Sequence, residues 1–334
     1  MGIKSDSVDQ QPDHFVLALD FGGTKLAAAV VDLNHGKIIG DVIRRPTPVS
    51  EGARGSMDAM IECGHQAIRS IGSSVTVSAA GISFGGPVSQ DRKTVLLSNH
   101  ISNWKDVPLV DVIGGAFSIP AYLENDGNAA ALGEWRFGGH REQDNLVYIQ
   151  TSTGIGGGFI FNRQLYRGGG LAGEPGHYIV NPDGPECSCG RNGCLESVSS
   201  GWAIARDGRK ALIEHPEKCS ILIKLSGNKS ENVNAAMVFS ACRQNDPACM
   251  EIVKKALGSL AITVVNLVTC LDPGVVVIGG GLTRSRDMFD QYFFPVVEKQ
   301  MRPFFKGRCN VTISNMDGNE LLMGAGLLTL ENFR

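Results

Sequence analysis

Two short apolar runs, Phe15–Leu19 and Leu26–Val31, open the chain on either side of the glycine turn in "LDFGGTK". A second turn, "DLNHG", leads into Lys37–Arg45, so this stretch predicts a strand–turn–strand meander. The period then changes. Between Ser56 and Ser70, the residues Met57, Met60, Ile61, Ala67 and Ile68 follow helical spacing. "VTVSAAGISFGGPV" reads as a buried strand ending in a glycine turn. "PLVDVIGGAFSIPAYLENDGNAAALGEWRF" reads as helix, strand, tight acidic turn and helix. After Arg136 the opening pattern returns, in "NLVYIQTSTGIGGGFIFNRQLY". Val233–Leu271 predicts two helices, followed by a strand at Val275–Ile278 and another glycine turn, and "LLMGAGLLTLE" closes with a helix. Alternating strands and helices predict α/β layers. The repeated strand–glycine turn–strand unit shares topology rather than sequence, and Glu124–Asn128 is the best hinge between the halves.

Composition narrows the class. At 334 residues two domains are the natural expectation, and 43% apolar with 19% charged residues describe an ordinary globular protein. A net charge of −3 gives no general attraction to nucleic acid. The first residues, "MGIKSDSVDQQPDH", lack the apolar core of a signal peptide, and Asp6 stands where a myristoylation pattern needs Ser or Thr. No apolar run is expected to span a membrane. Glycine is the outlier. The 42 glycines cluster in turns, at about twice the usual ~7%, and predict backbone wrapped closely around a small ligand.

Three of these turns have phosphate-type chemistry. In "LDFGGTK", Gly22, Gly23 and Thr24 can aim N–H groups and a hydroxyl at phosphate oxygens beside Lys25. Asp20 can hold a magnesium-bound water, since that ion takes few carboxylates and many waters. Taken alone, a plain hairpin turn explains this stretch equally well. "TSTGIGGG" repeats the recipe, and "VVVIGGGL" places a third turn at the end of a buried strand, where α/β folds bind ligands. The chain has no Walker P-loop. Gly168–Gly173 spells Gly-x-Gly-x-x-Gly but opens no helix, and Asp20-Phe21-Gly22 lacks a His-Arg-Asp catalytic loop. Asp126 begins an alanine-rich helix, where the dipole favours the ionised carboxylate. Alone it reads as a helix cap. Beside three phosphate-type turns it reads as the base that takes a proton from a sugar hydroxyl.

The nine cysteines are odd in number and mostly isolated, which predicts a reduced, cytoplasmic protein with buried thiols. The exception is "GHYIVNPDGPECSCGRNGCLE", which brings His177, Cys187, Cys189 and Cys194 into one loop. Cys187 and Cys189 are too close in sequence to pair easily, and a disulfide would leave a thiol over. Three thiolates and an imidazole satisfy tetrahedral zinc, and four protein ligands mark the metal as structural rather than catalytic.

With these motifs in place the chain resembles the ROK family (repressors, open reading frames, kinases), and within it the bacterial glucokinases. The resemblance runs from about Val16 to Leu330 and is carried by "LDFGGTK", "GISFGGPV", "LENDGNAAALGE", "TSTGIGGG", "GEPGH", "CSCGRNGCLE" and "VVVIGGGL". It implies an α/β, actin/hexokinase-like (ribonuclease H-like) fold of two lobes with a cleft. The smaller lobe is expected at 13–122, with a helix at about 321–334 packing back on it. The larger is expected at 123–320, with the zinc loop at 177–194. The resemblance also implies ATP- and Mg2+-dependent phosphorylation of the 6-hydroxyl of a hexose, most simply glucose, by a homodimer or dimer of dimers. Asp126 takes the base position. Asn125, Gly86, Glu174, His177 and Glu196 match sugar-binding positions, with His177 using one nitrogen for zinc and the other for the sugar. Thr153 and Gly154 join Asp20, Gly22, Gly23, Thr24 and Lys25 on the phosphate side, and Gly280 and Gly281 fall on the adenosine side.

Two departures stand out. Ser98 replaces a family proline before Asn99, with an extra residue before the tryptophan, so Asn99 is the preferred sugar contact and Asn103 its alternative. Pro175 replaces an aliphatic residue. ROK repressors share the sugar and zinc motifs, but the 14 residues before Phe15 are too few for a helix-turn-helix domain. Kinases for fructose, mannose, allose or N-acetylhexosamines, and the use of polyphosphate, remain open readings.

Overall fold

The computed structural model describes residues 14–72, 75–98, 101–301, 307–330 and 333. These form two compact units. One holds the described residues of Met1–Asn125 and Leu321–Arg334, the other Asp126–Glu320.

In the first unit, β1 (Phe15–Phe21), β2 (Lys25–Asp32) and β3 (Lys37–Pro46) pair antiparallel. On the other side of β1, β4 (Ala80–Phe84) and β5 (Ala121–Asn125) add in parallel, giving the order β3-β2-β1-β4-β5. The central β1 is covered on both faces, which is why Val16, Leu17, Ala18 and Leu19 form an unbroken apolar run. Helices α1 (Gly52–Ser70) and α2 (Leu109–Phe117) close one face, packing Met60, Cys63, Leu109 and Ile113 against Leu17, Leu19 and Ile82. The strand expected from Val75 is regular only from Ala80, because its outer partner β5 begins at Ala121, opposite Ala80.

The second unit begins with α3 (Asp126–Phe137), followed by β6 (Leu146–Thr151), β7 (Ile155–Phe161) and β8 (Gln164–Tyr166). Then come α4 (Glu196–Ser199), α5 (Gly201–Glu214), α6 (Ser220–Ser226), α7 (Ala235–Arg243) and α8 (Pro247–Leu271). Last are β9 (Val275–Gly279), α9 (Arg286–Tyr292), α10 (Phe294–Met301) and β10 (Asn310–Ile313). The sheet order is β10-β9-β6-β7-β8, with β6–β7 and β7–β8 antiparallel and β6–β9 and β9–β10 parallel. Strand for strand, this repeats the connectivity of the first sheet.

One face of the second sheet carries Val147, Ile149, Val276 and Ile278 into a core with Leu257, Leu260 and Val264 of α8. Contrary to the sequence expectation, α8 is long and apolar enough by composition to match a membrane span, but half of that stretch is buried. The other face receives α3. A Cβ on Gly127 would lie 2.1 Å from Gly157 O, and one on Gly158 would lie 2.5 Å from Gly127 O. The "GIGGG" strand therefore serves close helix–sheet packing, and that packing sets where Asp126 begins. Helix α11 (Glu320–Leu327) starts in the second unit, and its later residues belong to the first. There a Cβ on Gly81 would meet Ala325 O at 1.7 Å, so β4 must carry glycine at that point. Of the isolated cysteines, Cys63, Cys219, Cys242 and Cys249 are buried, whereas Cys309 is half-buried and Cys270 exposed.

Candidate active site

In the first unit the expected phosphate-side residues cluster at the β1–β2 turn. Gly22 N–H donates to Lys25 O at 3.1 Å. Thr47 clamps the turn from β3's end, its hydroxyl donating to Gly22 O at 2.7 Å and its N–H to Thr24 O at 3.1 Å. Gly23 is half-buried, while Thr24 and Lys25 are exposed. The Asp20 carboxylate accepts the Ser83 hydroxyl of β4 at 3.0 Å, a partner the sequence did not suggest. A single fixed carboxylate beside a glycine turn suits a hydrated magnesium ion.

The end of β4 lies next to this turn, with Gly85 N–H donating to Phe21 O at 3.0 Å. Gly86 has no room for a side chain, since a Cβ would lie 2.9 Å from Leu97 O. Asn125, closing β5, donates its amide to Gly86 O at 3.3 Å, bringing two expected sugar contacts together. Phe21, Phe84 and Trp104 pack at tilted and edge-to-face angles beside these loops, around a cavity with room for about one water. Asn99 lies outside the described residues. Asn103 is exposed, at φ +65°, and sits beside Gly52 at the start of α1.

The second unit gathers the acids. Asp126 is the first residue of α3, and its Oδ1 accepts the Gly127 N–H at 2.8 Å. Glu174 is half-buried just before the 3₁₀ turn Pro175–His177. That loop is keyed to β7: a Cβ on Gly176 would lie 2.1 Å from Ile155 O, and the Pro175 ring lies against Gly157. Glu196 Oε2 accepts the Ile155 N–H at 3.0 Å, and its Oε1 accepts the Ser188 hydroxyl at 3.3 Å. Gly154 leaves space for this carboxylate, as a Cβ would come within 2.7 Å of Oε2. Glu174 lies within electrostatic reach of the other two carboxyls. Burial, then the nearby Asp126 and Glu196, push Glu174 up to about 7. Glu174 can therefore carry a proton at neutral pH and donate to a ligand oxygen as well as accept.

Exposed Thr153 and half-buried Gly154 turn the chain from β6 into β7. Gly280, at φ +89°, fits against Thr151, where a Cβ would lie 2.4 Å from Thr151 O. Gly281 is exposed beside Ser152. The expected phosphate-side and adenosine-side turns of this unit thus adjoin.

His177, Cys187, Cys189 and Cys194 offer ligand atoms that all lie within 4.8 Å of one another. Cys189 Sγ and Cys194 Sγ are 3.6 Å apart, and Cys187 Sγ and His177 Nδ1 are 3.7 Å apart. Zinc–sulfur bonds of about 2.3 Å give tetrahedral edges of roughly 3.7 Å, so the donor set fits zinc. A disulfide needs about 2.05 Å and is absent. The turn depends on Gly190 at φ +82° and Gly193 at φ +69°. At Gly193 a Cβ would fall 1.5 Å from Asn181 O. Arg191 braces the cluster, donating to His177 O at 3.1 Å. Cys189 and Cys194 titrate as a pair: burial opposes ionisation of both, but hydrogen bonds from Arg191 and the neighbouring thiols hold Cys189 down at about 7, while burial and Cys189 push Cys194 up to about 12.

The ROK family's sequence signature covers residues 16–332. The chain belongs to the ROK family. Over 328 residues it is 32% identical to a glucokinase of Thermotoga maritima, spanning 95% of this chain and 97% of that protein. It is 35% identical over 267 residues to an N-acetylmannosamine kinase of Yersinia pseudotuberculosis, spanning 80% of this chain and 82% of that one. The crystal structure of a ROK family glucokinase from Streptomyces griseus, in complex with glucose and AMPPNP, is similar with a TM-score of 0.81. The identity there is 31%, over 94% of this chain and 98% of the other. This ROK chain is a sugar kinase with the actin/hexokinase-like, ribonuclease H-like fold. Ser83, Thr47, Ser188 and Arg191 were not foreseen. Each is an ordinary polar residue whose role exists only through the neighbour that folding brings to it.

Proposed function

We propose that this ROK kinase transfers the γ-phosphoryl group of ATP to the 6-hydroxyl of glucose, with Asp126 as general base. The convergence of the Asp126, Glu174 and Glu196 carboxyls in one unit carries this reading. The Asp126 carboxylate takes the O6 proton, O6 bonds to the γ-phosphorus, and the bond to the ADP β-phosphate oxygen breaks. The family resemblance assigns sugar contacts to Asn125, Gly86 and Asn99 in the first unit and to Glu174, His177 and Glu196 in the second. Glu174, shared between protonated and ionised forms at neutral pH, donates to one sugar hydroxyl or accepts from another.

On the donor side, Gly22, Gly23, Thr24 and Lys25 face phosphate, as do Thr153 and Gly154, and Gly280 and Gly281 face the adenosine. Asp20 would hold magnesium through its waters, and the ion would neutralise phosphate charge. Zinc on His177, Cys187, Cys189 and Cys194 would be structural, fixing the loop that presents His177 and Glu196.

The glucose complex of the Streptomyces griseus relative supports the choice of sugar. The identity to the N-acetylmannosamine kinase favours N-acetylmannosamine as the second reading. A coupled ADP-release assay across hexoses and N-acetylhexosamines separates the two, glucose being expected to give the highest kcat/KM. In the same assay Asp126→Asn should lower kcat by about 10²–10⁴-fold. Near-normal turnover in that variant would remove Asp126 from the mechanism.

A further inference from the structure

Trp202 belongs neither to the core that α8 forms with β6 and β9 in its unit nor to the partly buried side chains packed on that core. It is half-buried in the first turn of α5. Large aromatic residues normally find a core or a ligand.

The backbone here is fixed to the Thr151–Gly154 turn. Gly201 N–H donates to Ser152 O at 2.8 Å, and Trp202 N–H donates to Thr153 O at 3.1 Å. Gly201 is glycine for a reason, since a Cβ would lie 2.7 Å from Ser152 O. The indole is fixed too. The Arg206 guanidinium lies over its ring, 5.1 Å from the centroid. Arg206 is itself tethered, donating to Ser197 O at 2.9 Å and to Asp207 Oδ1 at 2.8 and 2.6 Å. Its charge is thus balanced by Asp207, and the pair presents a rigid aromatic surface rather than a cationic one. On the turn's other flank, Gly280 packs against Thr151, and Gly281 approaches Ser152.

A phosphate-type turn flanked by a glycine loop and a braced indole suits a flat, neutral, π-rich group joined to phosphates. We propose that Trp202, braced by Arg206, is the platform on which the purine base of the phosphoryl donor stacks. This rests on the ATP-dependent reading above and adds to it the recognition of the base.

The test compares Trp202→Ala and Trp202→Phe in the full chain. Trp202→Ala should raise the KM for ATP about tenfold, with the KM for sugar within about twofold, and Trp202→Phe should restore most of the loss. ADP should quench the fluorescence of the native protein, and Trp202→Phe, which keeps Trp104 and Trp135, should abolish that quenching. An unchanged KM for ATP, or sugar and ATP constants rising together, would reduce Trp202 to a structural residue. If Trp202→Ala does not fold, persistence of quenching in Trp202→Phe overturns the platform and its loss supports it. The quenching needs no turnover. A native protein that phosphorylates no sugar would therefore sink the proposed function while leaving the platform separately decided.

Discussion

The two sheets share one strand order, yet their matching hairpin turns are built for different purposes. The β1–β2 turn is held by its own hairpin and by Thr47, and its glycine at position 22 accommodates backbone, with Lys25 O 2.7 Å from where a Cβ would be. The β6–β7 turn is gripped from outside. Its carbonyls at Ser152 and Thr153 are taken by the start of α5, and Gly154 makes room for the Glu196 carboxylate. A glycine–hydroxyl motif thus marks a close approach without saying what approaches. In one sheet it is the turn's own backbone, in the other an acid expected to hold the sugar.

Removing the metal cluster should break this comparison most severely, because Glu196 follows the last cysteine by two residues. Cys194→Ser should lose the zinc that elemental analysis is expected to find at about one per chain in the native protein, and sugar KM should rise about tenfold or more. A metal-free protein with native sugar affinity would separate the loop's order from zinc altogether.

A sharper and milder contrast comes from alanine at the two turn glycines. Gly154→Ala meets the movable end of a side chain, so it should leave melting temperature nearly unchanged while raising sugar KM several-fold, about 1 kcal/mol of binding. Gly22→Ala meets a backbone carbonyl, so it should cost stability by about 1–2 kcal/mol and affect the KM for ATP. Thermal melts and KM values on the same preparations would show whether the two readouts separate as described or move together.

The last contrast is confined to the second sheet and appears only as pH is varied. Glu134 is fully buried on α3, where burial pushes its carboxyl up to about 7, against a hydrogen bond from Ser314 and with Glu320 adding to the rise. A carboxyl raised from 4.5 contributes stability that is complete below that value and lost as pH rises through about 7. Glu134→Gln should remove that dependence, gaining up to about 3 kcal/mol relative to the native protein at pH 8 and little at pH 4.5. Equal pH slopes in denaturant melts of the two proteins would place the titration elsewhere.

Most strands and helices α7 and α8 were legible because their apolar positions form runs or recur at helical spacing, whereas the short β10, Asn310–Ile313, was not read. β1, β2, β6, β7, α7, α8 and β9 all stand where the pattern puts them. Helices α5 and α6 were not read, although α5 buries Ala203, Ile204, Gly208 and Leu212 at helical spacing; small residues make that stripe faint, and α6 spans only seven residues. The cysteine cluster was legible from spacing alone, because its ligands fall within one short loop. The carboxyl cluster needed the resemblance, because Asp126, Glu174 and Glu196 are far apart in sequence. What no local pattern could supply was the partner of each glycine. Gly157 looks like a ligand-loop residue in sequence and in space forms a helix–strand contact with Gly127.

The loop bearing Glu174 has consequences for how such an enzyme could change its taste in sugars. It is pinned at one end by Gly173 and Gly176 against β7 and at the other by the cysteine cluster, where Gly193 abuts Asn181. A segment anchored twice has no slack to absorb an insertion or a new path. Selection, natural or in the laboratory, would therefore have to proceed here by exchanging side chains on a fixed frame, and loop-length variation would have to occur elsewhere.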